Sequence, residues 1–195
     1  MCKILISIIA FTFLNFGSKS NDILYPEKSK VLSPDFAKYD NFFPLAIMDF
    51  SNKGVEEKIN IIFVSFNYNG KEFDENFPKN QSMGNFTFKI QDDGKYKPTF
   101  KKNAMKVEEM HKPYFLITKQ KYLKAKAENK DIMYLIKKYD EPDWWQADET
   151  PVNSKGEKFK FLCQFEIEEF LGDSCCVYVF YDKKDREVKY IAQGD

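Results

Sequence analysis

Arginine is almost missing. Of the 30 basic residues only Arg186 carries a guanidinium, the planar fork that reads phosphates and base edges two bonds at a time. The 30 acidic residues balance the basic ones. A neutral, arginine-poor chain is not built to bind nucleic acid by bulk electrostatics. Histidine is equally scarce. His111 stands alone in the polar stretch Glu108-Glu109-Met110-His111-Lys112. A catalytic imidazole needs a nucleophile and an orienting acid beside it. Neither is evident, so His111 reads as an exposed loop residue. One histidine and a few cysteines without paired spacing give no support to a zinc site. There is no glycine-rich phosphate loop, no GxSxG elbow and no HExxH motif. No cofactor and no catalytic set is expected. Low-complexity tracts, internal repeats and domain linkers are also lacking.

Long apolar runs are missing too, with one exception. Lys3 is followed by Ile4 to Leu14, apolar but for Ser7 and Thr12, and then by Asn15, Gly17, Ser18, Lys19 and Ser20. Charge, apolar helix and small residues, in that order, make a secretory signal peptide. Ser18 and Ser20 place the cut after Ser20. The run is shorter than the roughly 18 to 20 residues that span a bilayer, and Cys2 lies on the wrong side of it for a lipid anchor. The alternative is an uncleaved N-terminal anchor. The expected organisation is a leader at 1–20 and one globular, β-rich domain at 21–195. That domain is secreted or periplasmic and has no membrane anchor after cleavage. A balanced chain that loses Lys3 and Lys19, with no acid among those residues, is left at a formal charge of −2.

What the chain does have is aromatics, 17% of its residues, mostly the 20 Phe and 11 Tyr. Such side chains suit pleated, half-buried surfaces. Ile59 to Asn67 reads as a strand closed by Asn69-Gly70. Asn85 to Gln91 alternates Phe86, Phe88 and Ile90 on one face before an Asp93-Gly94 turn. Tyr114 to Ile117 reads as a short strand, after which Thr118 caps a helix to about Asn129. A second short helix is expected over Asp131 to Lys138, and a further turn of helix near Asp35 to Tyr39, within an irregular lead-in at 21–43. In the last third, Lys158 to Ile167 places Phe159, Phe161, Cys163, Phe165 and Ile167 on one face. Cys175 to Tyr181 and Glu187 to Ala192 complete a meander. The expected class is α+β: a mostly antiparallel sheet with a C-terminal three-stranded meander and about two helices.

The expected mature chain keeps Cys163, Cys175 and Cys176. In an oxidising compartment Cys163 can pair with Cys175 or Cys176, but not with both, because adjacent residues of a strand point to opposite faces. A merely buried Cys163 is the equal alternative. Asn80-Gln81-Ser82 and Asn85-Phe86-Thr87 are glycosylation sequons; Asn85 opens a strand and is the poorer acceptor.

The most informative stretch is Pro142-Asp143-Trp144-Trp145-Gln146. It is followed by Phe161-Leu162-Cys163-Gln164, then by Gly172-Asp173 ahead of Val177-Tyr178-Val179-Phe180. Adjacent tryptophans in a loop must cap a core or form a recognition surface. One in the core and one at a rim is expected. The amides of Gln146 and Gln164 can lock a loop or read a partner. Asp140, Glu141, Asp143, Asp148 and Glu149 surround the pair. They read as a solvated face, with paired-carboxylate hydrolysis or calcium binding as the alternative. The candidate binding residues are Asp143, Trp144, Trp145, Gln146, Gln164 and Asp173.

Over Glu141 to Ala192, the order P-D-W-x-Q, F-L-x-Q, G-D and V-Y-x-F resembles the C-terminal half of the YwqG-like family. Asp140-Glu141 replaces that family's usual Gly-Gly, and its paired cysteines are absent around Asn153 to Gly156. The resemblance implies a mixed α/β domain, often encoded near toxin systems, without an established enzymatic activity. The expected function is an exported, non-enzymatic binding protein with a protein partner, of the immunity type that neutralises a toxin. The alternatives are an exported hydrolase and a structural envelope-associated domain.

Overall fold

Strand β2 (Phe42–Met48) is where the layers of the molecule meet. Its consecutive phenylalanines point opposite ways. Phe42 meets Phe88 and Phe100 on one side, and Phe43 meets Phe115 and Tyr122 on the other. The computed structural model describes residues 22–66, 74–172 and 174–194. The leader read at 1–20, the Asn69-Gly70 turn, Asn67 and Asp173 lie outside the described residues.

Two antiparallel sheets and one long helix make the frame, so the class is α+β and mostly β. The first sheet has the order β1-β2-β3, with β1 at Ile23–Leu24 and β3 at Ile59–Val64. The second has six strands in the order β5-β4-β9-β8-β7-β6. These are β4 (Asn85–Ile90), β5 (Tyr96–Pro98), β6 (Ile136–Lys137), β7 (Lys160–Glu166), β8 (Cys175–Asp182) and β9 (Glu187–Gly194). The last three form the expected meander, paired antiparallel throughout. The short helices α1 (Lys28–Val31), α2 (Pro34–Ala37) and α4 (Glu168–Leu171) each make one turn. The long helix α3 spans Lys112–Ala127.

Both faces of the first sheet are covered, which is why every residue of β3 is buried. One face packs on the six-stranded sheet. The other takes helix α3, whose Phe115, Thr118, Tyr122 and Ala125 follow helical spacing and are buried. The Tyr122 hydroxyl donates to the Pro44 carbonyl at 2.8 Å. Pro44 sits beside a register shift in β2, the position at which a ladder tolerates a residue without an N–H. The open edge of β3 is closed by side chains. Tyr96 Oη accepts from the Asn60 N–H at 3.0 Å, and the Tyr190 hydroxyl donates to the Asn60 carbonyl. Both tyrosines are fully buried, and burial pushes the Tyr190 phenol well above its ordinary pKa.

Four expectations are corrected. Tyr114 to Ile117 is no strand but the opening of α3, which begins at Lys112 with Pro113 in its first turn; a proline fits there because no N–H is needed. Thr118 is therefore a buried mid-helix residue and not a cap. Residues 131–138 form a 3-10 turn (Met133–Leu135) and then β6, which pairs Ile136 with Phe165. The expected inward residues Ile132, Leu135 and Ile136 are buried, but sheet pairing replaces the helix. In β7 the register shifts between Phe161 and Cys163. This bulge breaks the single face expected for Phe159 to Ile167. Leu162, Cys163, Phe165 and Ile167 join the main core, whereas Phe159 and Phe161 join a second cluster with Cys176, Tyr178, Phe180 and Ile191.

The cysteines are the fourth. Cys163 and Cys176 are buried free thiols, and Cys175 is half-buried at the start of β8. Cys163 stands opposite Val179, and Cys176 opposite Glu166, on the other face of the sheet. Cys175 is four positions from Val179 along β8, about 13 Å at strand rise. Disulfides need Cα atoms within about 7 Å. The buried alternative is the one the fold adopts, and burial pushes the Cys163 and Cys176 thiols up to about 12.

Candidate functional site

The outer face of the meander is apolar where water is expected. Phe159, Phe161, Tyr178, Phe180 and Ile191 are buried there. They are buried because the chain between β6 and β7 lies across them. This strap crosses β7, β8 and β9 in turn and makes a bond to a side chain of each strand. The Asp143 N–H donates to Gln164 Oε1 of β7 at 2.8 Å. Tyr178 of β8 holds the next two groups: its Oη accepts from the Trp145 N–H at 2.9 Å, and its hydroxyl donates to the Asp143 carbonyl at 2.8 Å. Gln193 of β9 accepts from the Gln146 N–H at 3.0 Å and donates to the Ala147 carbonyl at 2.8 Å. The Gln146 amide donates to the Gly194 carbonyl.

Trp144 is half-buried, a cap on a core rather than a member of it, and Trp145 is exposed. The Trp144 ring lies over the second cluster, with its centroid 4.4 Å from Tyr178 and 5.8 Å from Phe180. Trp145 stays 41% exposed. Asp143 and Gln146 are exposed beside it, whereas Gln164 is buried. The structure therefore brings together five of the six candidate residues; Asp173 lies outside the described residues. Gly172 closes α4 at φ +88, in the left-handed region that favours glycine.

The roles differ from the types. Gln164 spends its oxygen on the strap backbone, so it locks a loop rather than reads a partner. Tyr178 and Gln193 do the same work and were not among the candidates. A polar group inside the apolar runs CCVYVFY and EVKYIAQG was the available signal. Burial pushes the Tyr178 phenol well above its ordinary pKa, so it remains a donor to Asp143 at any physiological pH.

The carboxylates of Asp140, Glu141, Asp143, Asp148 and Glu149 are all exposed. The Thr150 hydroxyl and N–H hold the Asp148 carboxylate below its usual range. Retaining or inverting hydrolysis instead asks for a protonated acid in a closed cleft, and the strap does not build one. Among the described residues no group of three or more His, Cys, Asp or Glu converges as a metal site. His111 is half-buried in the 3-10 turn before α3 rather than fully exposed, and its Nε2 has no hydrogen-bond partner. Asn80 is exposed at φ +69, while Asn85 opens β4 with its side-chain oxygen buried. A cavity of about 310 Å³ opens on the far side of the sheets, between Phe63, Met83, Tyr114, Thr118 and Ile167.

An indole stands out of a backbone held at three points, with acids on both sides. Compared with models of known families, with curated proteins and with solved structures, the chain finds no match in any of the three.

Proposed function

We propose that this is an exported, non-enzymatic binding protein of the immunity type, which neutralises a toxin by binding it through the Trp145 strap. One observation carries the reading: Trp145 is 41% exposed on a backbone pinned by side chains of three strands. Exposed tryptophan is costly in water and favoured as an interface anchor. A loop already ordered in the free protein spares the complex the cost of ordering it. The acidic neighbours suit a basic partner, whose Lys or Arg can also sit over the indole face. The resemblance of residues 141–192 to the YwqG-like family supports the same reading.

The test is affinity capture of the chain from its source organism, followed by titration of the recovered protein. Trp145→Ala should weaken binding by about 30-fold or more, the mark of an anchor residue, and leave the thermal midpoint in place. Recovery of no protein partner, together with turnover of a small molecule, would overturn the proposal.

A further inference from the structure

Helix α3 has two apolar faces and buries one of them. Opposite the buried face, Pro113, Leu116, Gln120, Leu123 and Ala127 recur at spacings of three and four, so they form one stripe along the solvent side. Leu116 and Leu123 remain 45% and 49% exposed. Ile117 widens the stripe and is half exposed. Lysines run along both margins. The helix holds five of them and no acidic residue, in a chain whose charges balance overall. Lys112, Lys119 and Lys126 line one margin and reach Glu109, Asp40 and Glu27. Lys124 lines the other, and Lys121 lies further round, towards α4. Lys124 makes no ion pair among the described residues, and Lys121 meets Glu169 only through longer-range attraction.

We propose that this face of α3 lies flat on the surface of an anionic lipid bilayer. Leu116, Ile117 and Leu123 enter at headgroup depth and the lysines meet the lipid anions. The charge selects the occupant. A second copy of the chain would set the unpaired Lys124 against like charge, with no acid in the helix to answer it. The shape agrees: a single convex ridge needs no matching groove when the partner is a deformable surface. The helix lies on the membrane and does not cross it; among the described residues none is long and apolar enough to do so. The layer order then sets the orientation. α3 covers the first sheet and the acidic strap covers the far face of the second, so a bilayer that attracts the helix repels the strap. Trp145 points away from the membrane.

The experiment is co-sedimentation of residues 21–195, which contain every described element, with vesicles of phosphatidylcholine alone or with about one-third phosphatidylserine. The chain should sediment with the anionic vesicles, stay free of the neutral ones and be released by high salt. Lys121→Gln with Lys124→Gln should lower partitioning roughly 25-fold, at about 5-fold per lysine near an anionic surface. Leu116→Ser with Leu123→Ser should lower it by about 10-fold or more. Circular dichroism and thermal unfolding should match the parent, since all four side chains face solvent. Equal sedimentation with both vesicles, sedimentation with neither, or no loss in either double variant would overturn the proposal. So would capture of an acidic protein through Leu116 and Leu123 without vesicle binding.

Discussion

Replacing Tyr178 with phenylalanine removes one oxygen and leaves the ring under Trp144. That oxygen accepts from the Trp145 N–H at 2.9 Å and donates to the Asp143 carbonyl at 2.8 Å. Each bond contributes about 1 kcal/mol net, and a part-buried donor and acceptor left unmet add to the loss. The expected destabilisation is about 2–3 kcal/mol. For a domain of this size that is a fall in thermal midpoint of roughly 5–10 °C. Scanning calorimetry measures it. Hydrogen exchange at the Trp145 amide reports the cause, and should accelerate before the sheet amides do. The stack at 4.4 Å is untouched, so Tyr178→Ala should cost more than Tyr178→Phe by the value of the ring. A loss below about 0.5 kcal/mol in Tyr178→Phe would show that ring packing alone holds the strap, and the three-point account of it would fail.

Three further outcomes follow from the same geometry. Burial raises the Glu57 pKa, but the hydroxyl of Tyr181 and the guanidinium of Arg186 outweigh it, so the folded carboxyl lies below its ordinary value. Its contribution to stability is complete above pH of about 4.5 and is lost as pH falls through the folded pKa; Glu57→Gln should flatten the fall in urea midpoint between pH 6 and 3, and an unchanged acid profile would refute the assignment. With thiols at about 12, Cys163 and Cys176 should resist alkylation at pH 8 in the folded protein and react after denaturation, and a disulfide to Cys163 in mass spectra of oxidised native protein would contradict the strand register. Tyr96→Phe strands the buried Asn60 N–H and should cost about 1–3 kcal/mol in urea unfolding; a neutral effect would mean that water replaces the phenol.

The meander was legible because β8 is a run of β-branched and aromatic residues and β9 alternates over most of its length, and the split of the two tryptophans followed from the cost of leaving both in water. β2 was not. FFPLAIM is buried on both faces, so it has no alternation to read, and Pro44 argues against a central strand until the bulge beside it is known. Helix α3 hid behind its own outer face. Tyr114-Phe115-Leu116-Ile117 is a continuous apolar run, and only Phe115 of the four is buried; the run looks like a strand because three of its members serve the surface. The bulge after Phe161 defeated a period-two reading by one residue. The strap's own residues were found, but two of the groups that hold it were not. Tyr178 and Gln193 lie elsewhere in the chain and reach the strap only through the sheet register.

The two phenols on Asn60 have a consequence for how the chain is made. Asn60 lies 36 residues before Tyr96 and 130 before Tyr190. A growing chain that has produced β1 to β3 therefore holds Ile59–Val64 with one side of its backbone open, an uncharged apolar template for another copy. The fold cannot finish from its N-terminus; it waits for its last strand. A chain truncated before residue 190 should accumulate as aggregate rather than as a smaller soluble domain.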